Sequence, residues 1–266
     1  MLVISELFIY PIKSLGGVQV SQSMVTDRGL QYDRRFMLVD EHNRFLTQRE
    51  HPRMALLKTA VEDGMLEVFH KDETAGKLLL PLQIEDGERI NVAVWEDTCE
   101  ALVATEDINE WFSQRLSVKC KLVFMPATTR RSVDSLYASS SEDITSFSDG
   151  YPILIISQAS LDLLNSKLDE PLPMNRFRPN IVFTGGAAHV EDNMQRFRIN
   201  EVSFSGVKLC GRCVVTTIHQ DTAAGGKEPL RTLATYRTIN NKIRFGQNVI
   251  NHRDGQLSIG DEIKQE

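Results

Sequence analysis

The sequence predicts a mainly β protein with a few helices. Short runs rich in β-branched residues recur along the chain, and turn-forming clusters such as Gly16-Gly17 and Asp27-Arg28-Gly29 separate them. Strands of this length and spacing are typical of an all-β barrel or sandwich. The chain has 266 residues, of which 41% are hydrophobic and 25% are charged. That composition is ordinary for a globular protein, and the length suits one or two domains.

Strands are predicted wherever apolar and β-branched residues alternate, or run together, between turn signals. In chain order the predicted strands cover residues 2–11, 18–26, 33–40, 45–47, 54–61, 65–70, 77–81, 121–125, 151–156, 181–183, 197–199, 202–209, 242–250 and 257–263.

Three helices interrupt these strands. Thr105 is the predicted N-cap of a helix over residues 106–116, and Ser157 that of a helix over residues 158–168. A short helix is expected within residues 228–237. The polar segment 127–148, rich in Ser, Thr and Asp, predicts a long, mobile loop that could cover a site.

The charge and the terminal sequence bear on partners and location. A net charge of -6 disfavours nonspecific binding to nucleic acid. No apolar run is long enough to span a membrane, and the first residues lack the basic region of a signal peptide. Four cysteines in a chain of this size do not form a disulfide framework. We therefore expect a cytoplasmic protein with free thiols, without a nucleic-acid or membrane partner.

The stretch Cys210-Gly211-Arg212-Cys213 carries the strongest chemical signal. The following residues 214–217 favour extended backbone, which predicts a tight connection between strands. Three functional interpretations stay open: half of a zinc site, a redox dithiol, or one thiolate that binds a metal cofactor while Arg212 binds its anionic part. A fourth is that both thiols act only as small buried hydrophobes.

Several arginines are also candidates for binding the anionic part of a cofactor, because they stand at predicted strand ends in an acidic protein. They are Arg34 and Arg35, Arg178 beside Asn180, and Arg212 beside Cys213. Lys13-Ser14 lies at another such end. The planar guanidinium suits phosphate, although a single arginine is more often a solvated surface side chain.

These residues resemble the MOSC proteins, in the branch that has an N-terminal β-barrel domain and includes the mitochondrial amidoxime-reducing component and bacterial relatives. The resemblance rests on these segments: Pro11-Ile12-Lys13-Ser14, Asp33-Arg34-Arg35-Phe36, Thr47-Gln48-Arg49, Ser148-Asp149, Phe177-Arg178-Pro179-Asn180, and Arg212-Cys213 with Thr216-Thr217. It implies an N-terminal β-barrel domain over residues 1–122 and a MOSC domain over residues 123–266.

The resemblance also implies a molybdenum cofactor (molybdopterin), with Cys213 as the protein ligand to molybdenum and Asp149 near the metal, assisting proton delivery. Lys13, Ser14, Arg35, Arg178, Asn180 and Arg212 would hold the pterin and its phosphate. The implied activity is reduction of N-hydroxylated substrates, namely hydroxylamines, amidoximes and N-hydroxylated bases. The alternative is a carrier of the cofactor, or a sulfur relay through Cys213, without turnover. Pyridoxal phosphate binding is a family-level association only.

Two departures from the family pattern matter. His219-Gln220 stand where related proteins often carry Asp-Pro, which bears on the wall of the substrate pocket. The sequence printed here contains no cysteine cluster of a ferredoxin-like domain. We therefore expect a separate electron donor, either a flavoprotein reductase or an iron–sulfur protein.

Overall fold

The computed structural model describes residues 1–72 and 76–266. These residues form nineteen strands, three α-helices and four short 3-10 helices. The strands are β1 (Leu2–Ile9), β2 (Val18–Val20), β3 (Gln22–Thr26), β4 (Gly29–Leu30), β5 (Phe36–Val39), β6 (Leu57–Glu62), β7 (Met65–His70), β8 (Leu78–Pro81), β9 (Arg89–Val94), β10 (Asp97–Val103), β11 (Lys121–Phe124), β12 (Ile153–Ser157), β13 (Ile181–Thr184), β14 (Arg196–Ile199), β15 (Val202–Gly211), β16 (Thr238–Ile239), β17 (Lys242–Asn251), β18 (Gly255–Ser258) and β19 (Glu262–Gln265).

The helices are α1 (Glu106–Leu116), α2 (Gln158–Asn165) and α3 (Leu230–Ala234), and the 3-10 helices are Pro52–Leu56, Met174–Arg176, Val190–Asn193 and Val214–Thr217. The N-caps of α1 and α2 are Thr105 and Ser157, as predicted. Only Ser157 caps with its side chain, which accepts a hydrogen bond from the backbone N–H of Ser160.

Seven strands close into a barrel in the order β12, β13, β1, β19, β14, β15 and β17, with β17 pairing back to β12. Apart from the parallel β12–β13 pair, all of these pairings are antiparallel. Phe183, Phe197 and Phe204 fill the barrel interior and are at most 1% exposed. The prediction of a mainly β fold with a β-barrel is confirmed.

Outside the barrel, the described N-terminal half contains a four-stranded sheet (β5, β11, β10, β9) and a three-stranded sheet (β6, β7, β8), and its strands β3 and β4 form another three-stranded sheet with β18. Strand β5 is buried on both faces, because Phe36 and Leu38 pack into one apolar cluster while Met37 and Val39 pack into another. Helix α1 covers the first cluster with Phe112 and Leu116.

The domain division at residue 122 stays a prediction, and strand pairing crosses it. Strand β1 lies between β13 and β19 in the barrel, and β3 pairs with β18. The first strands of the chain are therefore structural parts of the C-terminal barrel.

Several predicted elements have other bounds in the structure. The predicted strand 18–26 divides into β2 and β3, the predicted strand 257–263 divides into β18 and β19, and residues 54–61 begin as a 3-10 helix. The hairpin of β9 and β10 was not predicted. The predicted mobile loop 127–148 contains buried residues, including Thr145, Ser146 and Phe147. Arg131 holds this segment by donating to the carbonyls of Ser146 and Ser148.

Candidate functional site

All of the predicted site residues except Arg35 line a cleft of about 610 Å³ where the N-terminal strands and the barrel adjoin. Nine of its lining side chains are Lys or Arg, and one is a carboxylate, Asp149. The nine are Lys13, Arg34, Arg49, Arg176, Arg178, Lys208, Arg212, Lys242 and Arg244. A cleft with this charge excess, in a protein of net charge -6, favours an anionic ligand.

Cys213 lies on the cleft at the N-terminal end of the 3-10 helix Val214–Thr217. It is in a connection between strands, as predicted, but this connection from β15 to β16 is long and contains helices, whereas the prediction was a tight one. The hydroxyls of Thr216 and Thr217 donate to the carbonyls of Cys213 and Val214, at 2.9 and 2.8 Å. These local hydrogen bonds compete with extended backbone and explain why β-propensity misled the prediction here. Cys213 is only partly buried, so its sulfur remains accessible from the cleft.

Arg49 is the neighbour of Cys213 that the sequence left outside the predicted site. Its Nη2 donates to Cys213 Sγ at 3.2 Å, and its guanidinium lies 4.4 Å from the ring centroid of Trp95. The indole N–H of Trp95 in turn donates to Asp149 Oδ1 at 3.3 Å. Trp95 has a φ of 57°, which is unusual for a large side chain. The signals available in the sequence were Thr47-Gln48-Arg49 and the short turn after Val94.

Lys13 and Asp149 form an ion pair at the mouth of the cleft, with Nζ 2.6 Å from Oδ1. Burial lowers the pKa of Lys13 to about 8, although Asp149 opposes this shift. The side chain of Asp149 is 68% exposed, and the desolvation that it undergoes in the cleft would raise its pKa, but the charges of Lys13 and Arg49 outweigh this and hold that pKa below its usual range. Asp149 is therefore an ionised acceptor at neutral pH.

Two of the remaining cleft arginines, Arg34 and Arg178, contact the ring of Tyr10. The guanidinium groups of Arg34 and Arg178 lie 4.4 and 4.2 Å from its ring centroid. Arg178 donates to the carbonyl of Leu15 at 2.6 Å, while Arg34 pairs with the buried Asp33 at 2.6 Å. Burial lowers the pKa of Arg178 to about 10 and raises that of Tyr10 to about 12.

Arg212 is fixed in the same way, by donating to the carbonyls of Phe245 and Phe177 at 2.8 and 3.0 Å. Its Nη2 is buried and has no hydrogen-bond partner among residues 1–72 and 76–266. Because buried donors are almost always paired, this nitrogen indicates a missing acceptor. Ser14, Arg34 and Arg178 also have positive φ values of 68°, 47° and 54°, a form of backbone strain that clusters at ligand sites. These observations fit an anionic cofactor with phosphate groups.

Two predicted cofactor residues have other surroundings than expected. Arg35 does not line the cleft. Its guanidinium instead lies 5.0 Å from the ring centroid of Phe124 and donates a hydrogen bond to the carbonyl of Met125. Asn180 lines the cleft, but its side chain is engaged internally. Its Oδ1 accepts from Arg34 and from the backbone of Leu154, and its Nδ2 donates to the carbonyl of Phe8.

Cys210 packs against an apolar cluster that includes Phe177 and Phe245. Burial raises the pKa of its thiol, although Arg212 opposes this. A zinc site on Cys210 and Cys213 would need further ligands, and within residues 1–72 and 76–266 no three His, Cys, Asp or Glu side chains lie close enough to share a metal ion. The structure thus favours the interpretation of Cys210 as a small hydrophobe.

The departure at His219-Gln220 lies outside the cleft lining. Gln220 is buried and exchanges amide hydrogen bonds with Gln48, which also donates to the carbonyl of Ser14 at 2.7 Å. This pair joins the two halves of the chain behind Ser14 and so supports one wall of the site.

Among the described residues, none belongs to a helix that is both long and apolar enough to cross a membrane.

Known domain families match both halves of the chain. Residues 1–119 match the MOSC N-terminal beta barrel domain, and residues 142–264 match the MOSC domain. The mitochondrial amidoxime-reducing component 1 of Mus musculus is 32% identical over 98% of this chain and 81% of that protein. The mitochondrial amidoxime reducing component 2 of Rattus norvegicus is 32% identical over 98% of this chain and 82% of its own length.

A third relative is the molybdenum cofactor sulfurase of Oryza sativa subsp. japonica, 30% identical over 94% of this chain but only 32% of that protein. All three alignments cover at least 94% of this chain and therefore include parts of both halves. The chain therefore belongs to the MOSC family, with an N-terminal MOSC β-barrel domain followed by a MOSC domain.

Proposed function

We propose that this protein binds the molybdenum cofactor in the cleft and reduces N-hydroxylated substrates: hydroxylamines, amidoximes and N-hydroxylated bases. The observation that carries the proposal is the Cys213 thiol, accessible within a cleft of nine cationic side chains and 3.2 Å from Arg49. Relatives named amidoxime-reducing components align over almost the whole chain and support the choice of reaction.

Cys213 would be the protein ligand to molybdenum, because soft thiolates suit such a metal. When bound, the cofactor supplies the two-electron chemistry that converts an N-hydroxyl group and two protons to an amine and water. Arg49 would hold the sulfur in place through its hydrogen bond, and the ring of Trp95 fixes the guanidinium from its other face.

The cofactor's anionic groups would be held by Lys13, Ser14, Arg178 and Arg212, with Arg34 added to the predicted set and Arg35 removed from it. Backbone carbonyls rather than carboxylates anchor Arg178 and Arg212, so their charges stay available to the ligand. Asn180 would act indirectly, by holding Arg34 at 3.0 Å.

Lys13 Nζ would hold one of the two protons that the reaction consumes, because Asp149 is ionised while the pKa of Lys13 is about 8. The other proton would come from solvent. Asp149 would orient this ammonium at 2.6 Å. The electrons would come from a separate protein, a flavoprotein reductase or an iron–sulfur protein, and the expected location is the cytoplasm. Pyridoxal phosphate forms no part of the proposal.

Reduction of benzamidoxime to benzamidine by the cofactor-loaded protein tests this function. Reduced methyl viologen serves as the electron source, so that the identity of the natural donor does not matter. We expect turnover by the wild type and by Cys210→Ala, and none by Cys213→Ala. A wild type that contains stoichiometric molybdenum and pterin but does not turn over would contradict the reductase and would indicate a carrier of the cofactor.

A further inference from the structure

One wall of the cleft combines a lysine with two tyrosines and is not used by the proposed mechanism. The Nζ of Lys208 lies 3.9 Å from the ring centroid of Tyr137 and 5.7 Å from that of Tyr151. The two rings meet edge to face, with their centroids 6.1 Å apart. Lys208 and Tyr151 line the cleft, and Tyr137 stands behind them on the segment that precedes Asp149.

Lys208 is half-buried, and within residues 1–72 and 76–266 it forms no ion pair with a carboxylate. The tyrosine rings attract the ammonium and hold it in place, but they leave its charge unneutralised. The surroundings of Tyr151 differ: burial raises the pKa of its hydroxyl, and Asp134, Tyr137 and Cys210 raise it further. At neutral pH the wall therefore presents one cation beside a neutral phenol.

This wall has its own aromatic contacts: Arg34 and Arg178 lie on the ring of Tyr10, whereas Lys208 lies on the rings of Tyr137 and Tyr151. Tyr151 follows Asp149 by two residues, Lys208 precedes Cys210 by two residues on β15, and all four residues line the cleft. The groups that act electrostatically on Tyr10 are Arg178, Arg34, Asp33 and Arg212, and none of them is among those that act on Tyr151.

We propose that Lys208, held by Tyr137 and Tyr151, is a specificity-determining residue that selects aromatic N-hydroxylated substrates with a negatively charged substituent. This inference rests on the proposed function. The planar part of the substrate would lie against the tyrosine rings, and its carboxylate or phosphate would pair with the ammonium. The N-hydroxyl group would then face Cys213 and the Lys13–Asp149 pair.

The test compares kcat/KM for 4-carboxybenzamidoxime with that for benzamidoxime, in the wild type and in two variants. Lys208→Met removes the charge from the wall. Lys242→Met removes the same charge from an exposed lysine of the same cleft that makes no contact with an aromatic ring among the described residues. We expect the wild type to favour the carboxylate about tenfold, Lys208→Met to lose roughly five- to tenfold of this preference, and Lys242→Met to lose less than about twofold.

The role of the rings is tested with Tyr137→Leu and its matched control Tyr137→Phe. Tyr137→Leu removes the face on which the ammonium rests and should reduce the preference, whereas Tyr137→Phe keeps that face and the preference. An unchanged ratio in Lys208→Met, or equal losses in Lys208→Met and Lys242→Met, would overturn the proposal. Loss of molybdenum from Lys208→Met would overturn it as well, because Lys208 would then belong to the cofactor site.

Calorimetric binding of the two compounds to the loaded protein separates this inference from the reductase proposal. If no variant reduces benzamidoxime, the proposed function fails. The ratio of the two dissociation constants still tests Lys208, and the same five- to tenfold loss is expected in Lys208→Met.

Discussion

Asp33 is the only carboxylate that pairs with the arginines around Tyr10 among the described residues, and its removal should make the fold depend on an anionic ligand. Its side chain is fully buried, accepts from the backbone N–H of Tyr10 at 2.8 Å, and pairs with Arg34 at 2.6 Å. Asp33→Asn keeps the shape but leaves the positive charge of Arg34 uncompensated beside Arg178 and Arg212.

The magnitude follows from these contacts. Breaking a buried ion pair by removing one partner costs about 3–5 kcal/mol. Arg34 keeps its hydrogen bond to Asn180 Oδ1 at 3.0 Å and its contact with the Tyr10 ring, which lowers the expected cost to about 2–4 kcal/mol. In a chain of this size such a loss corresponds to a fall in Tm of roughly 5–12 °C.

The informative assay compares cofactor-free and cofactor-loaded protein. A bound phosphate would compensate part of the added positive charge, so the loss of stability on Asp33→Asn should be smaller in the loaded form by at least about 1 kcal/mol. Urea unfolding of both forms, at one pH and ionic strength, measures this difference. Asp27→Asn, which changes an exposed carboxylate 3.9 Å from Arg28, is the control and should cost less than about 0.5 kcal/mol in either form. Equal or larger losses in the loaded form would refute the reasoning.

Two further predictions each compare a substitution with a matched control, which is a second arginine in one case and a second pH in the other. Arg212→Met should weaken binding of molybdopterin about ten- to a hundredfold because it removes a charged donor from the cleft, whereas Arg35→Met should change it less than about twofold, as measured by pterin fluorescence after extraction. Glu191→Gln should raise Tm more at pH 7.5 than at pH 5. Glu191 is fully buried, and burial raises its pKa. The folded protein is therefore most stable when Glu191 is protonated, and this contribution to stability is lost as the pH rises above about 4.5, the pKa of Glu191 in the unfolded chain. The glutamine keeps the acceptor for Ser160 at 2.7 Å, and equal shifts at both pH values would contradict this account.

The alternation of apolar residues predicted most strands because burial on one face imposes it. The predicted strand 202–209 corresponds to β15 (Val202–Gly211), and the predicted strand 65–70 corresponds to β7 (Met65–His70) with the same bounds. The missed hairpin had the same signal in Ile90, Val92 and Val94. Strand neighbours were not predictable, since the pairing of β1 with β13 joins residues about 180 positions apart in the sequence and depends on barrel closure.

The candidate site contains some residues that the local sequence predicts and others that depend on the tertiary fold. Cysteine and arginine identities indicated Cys213, Arg178 and Arg212 correctly as cleft residues. The choice between Arg34 and Arg35 depended on which side of the backbone faces the cleft, and the left-handed conformation of Arg34 decides this. The segment Thr47-Gln48-Arg49 was a signal for Arg49 itself, but its contact with Cys213 joins residues 164 positions apart and depends on the tertiary fold.

The most direct test of the central claim is metal and pterin analysis of the protein purified from a host that makes the molybdenum cofactor. Wild type, Cys213→Ala and Cys210→Ala are compared by mass spectrometry, with circular dichroism to confirm that each is folded. We predict near-stoichiometric molybdenum with pterin in the wild type and in Cys210→Ala, and loss of molybdenum in folded Cys213→Ala. Zinc that requires both Cys210 and Cys213, or molybdenum retained in full by Cys213→Ala, would contradict the assignment of Cys213 as the ligand.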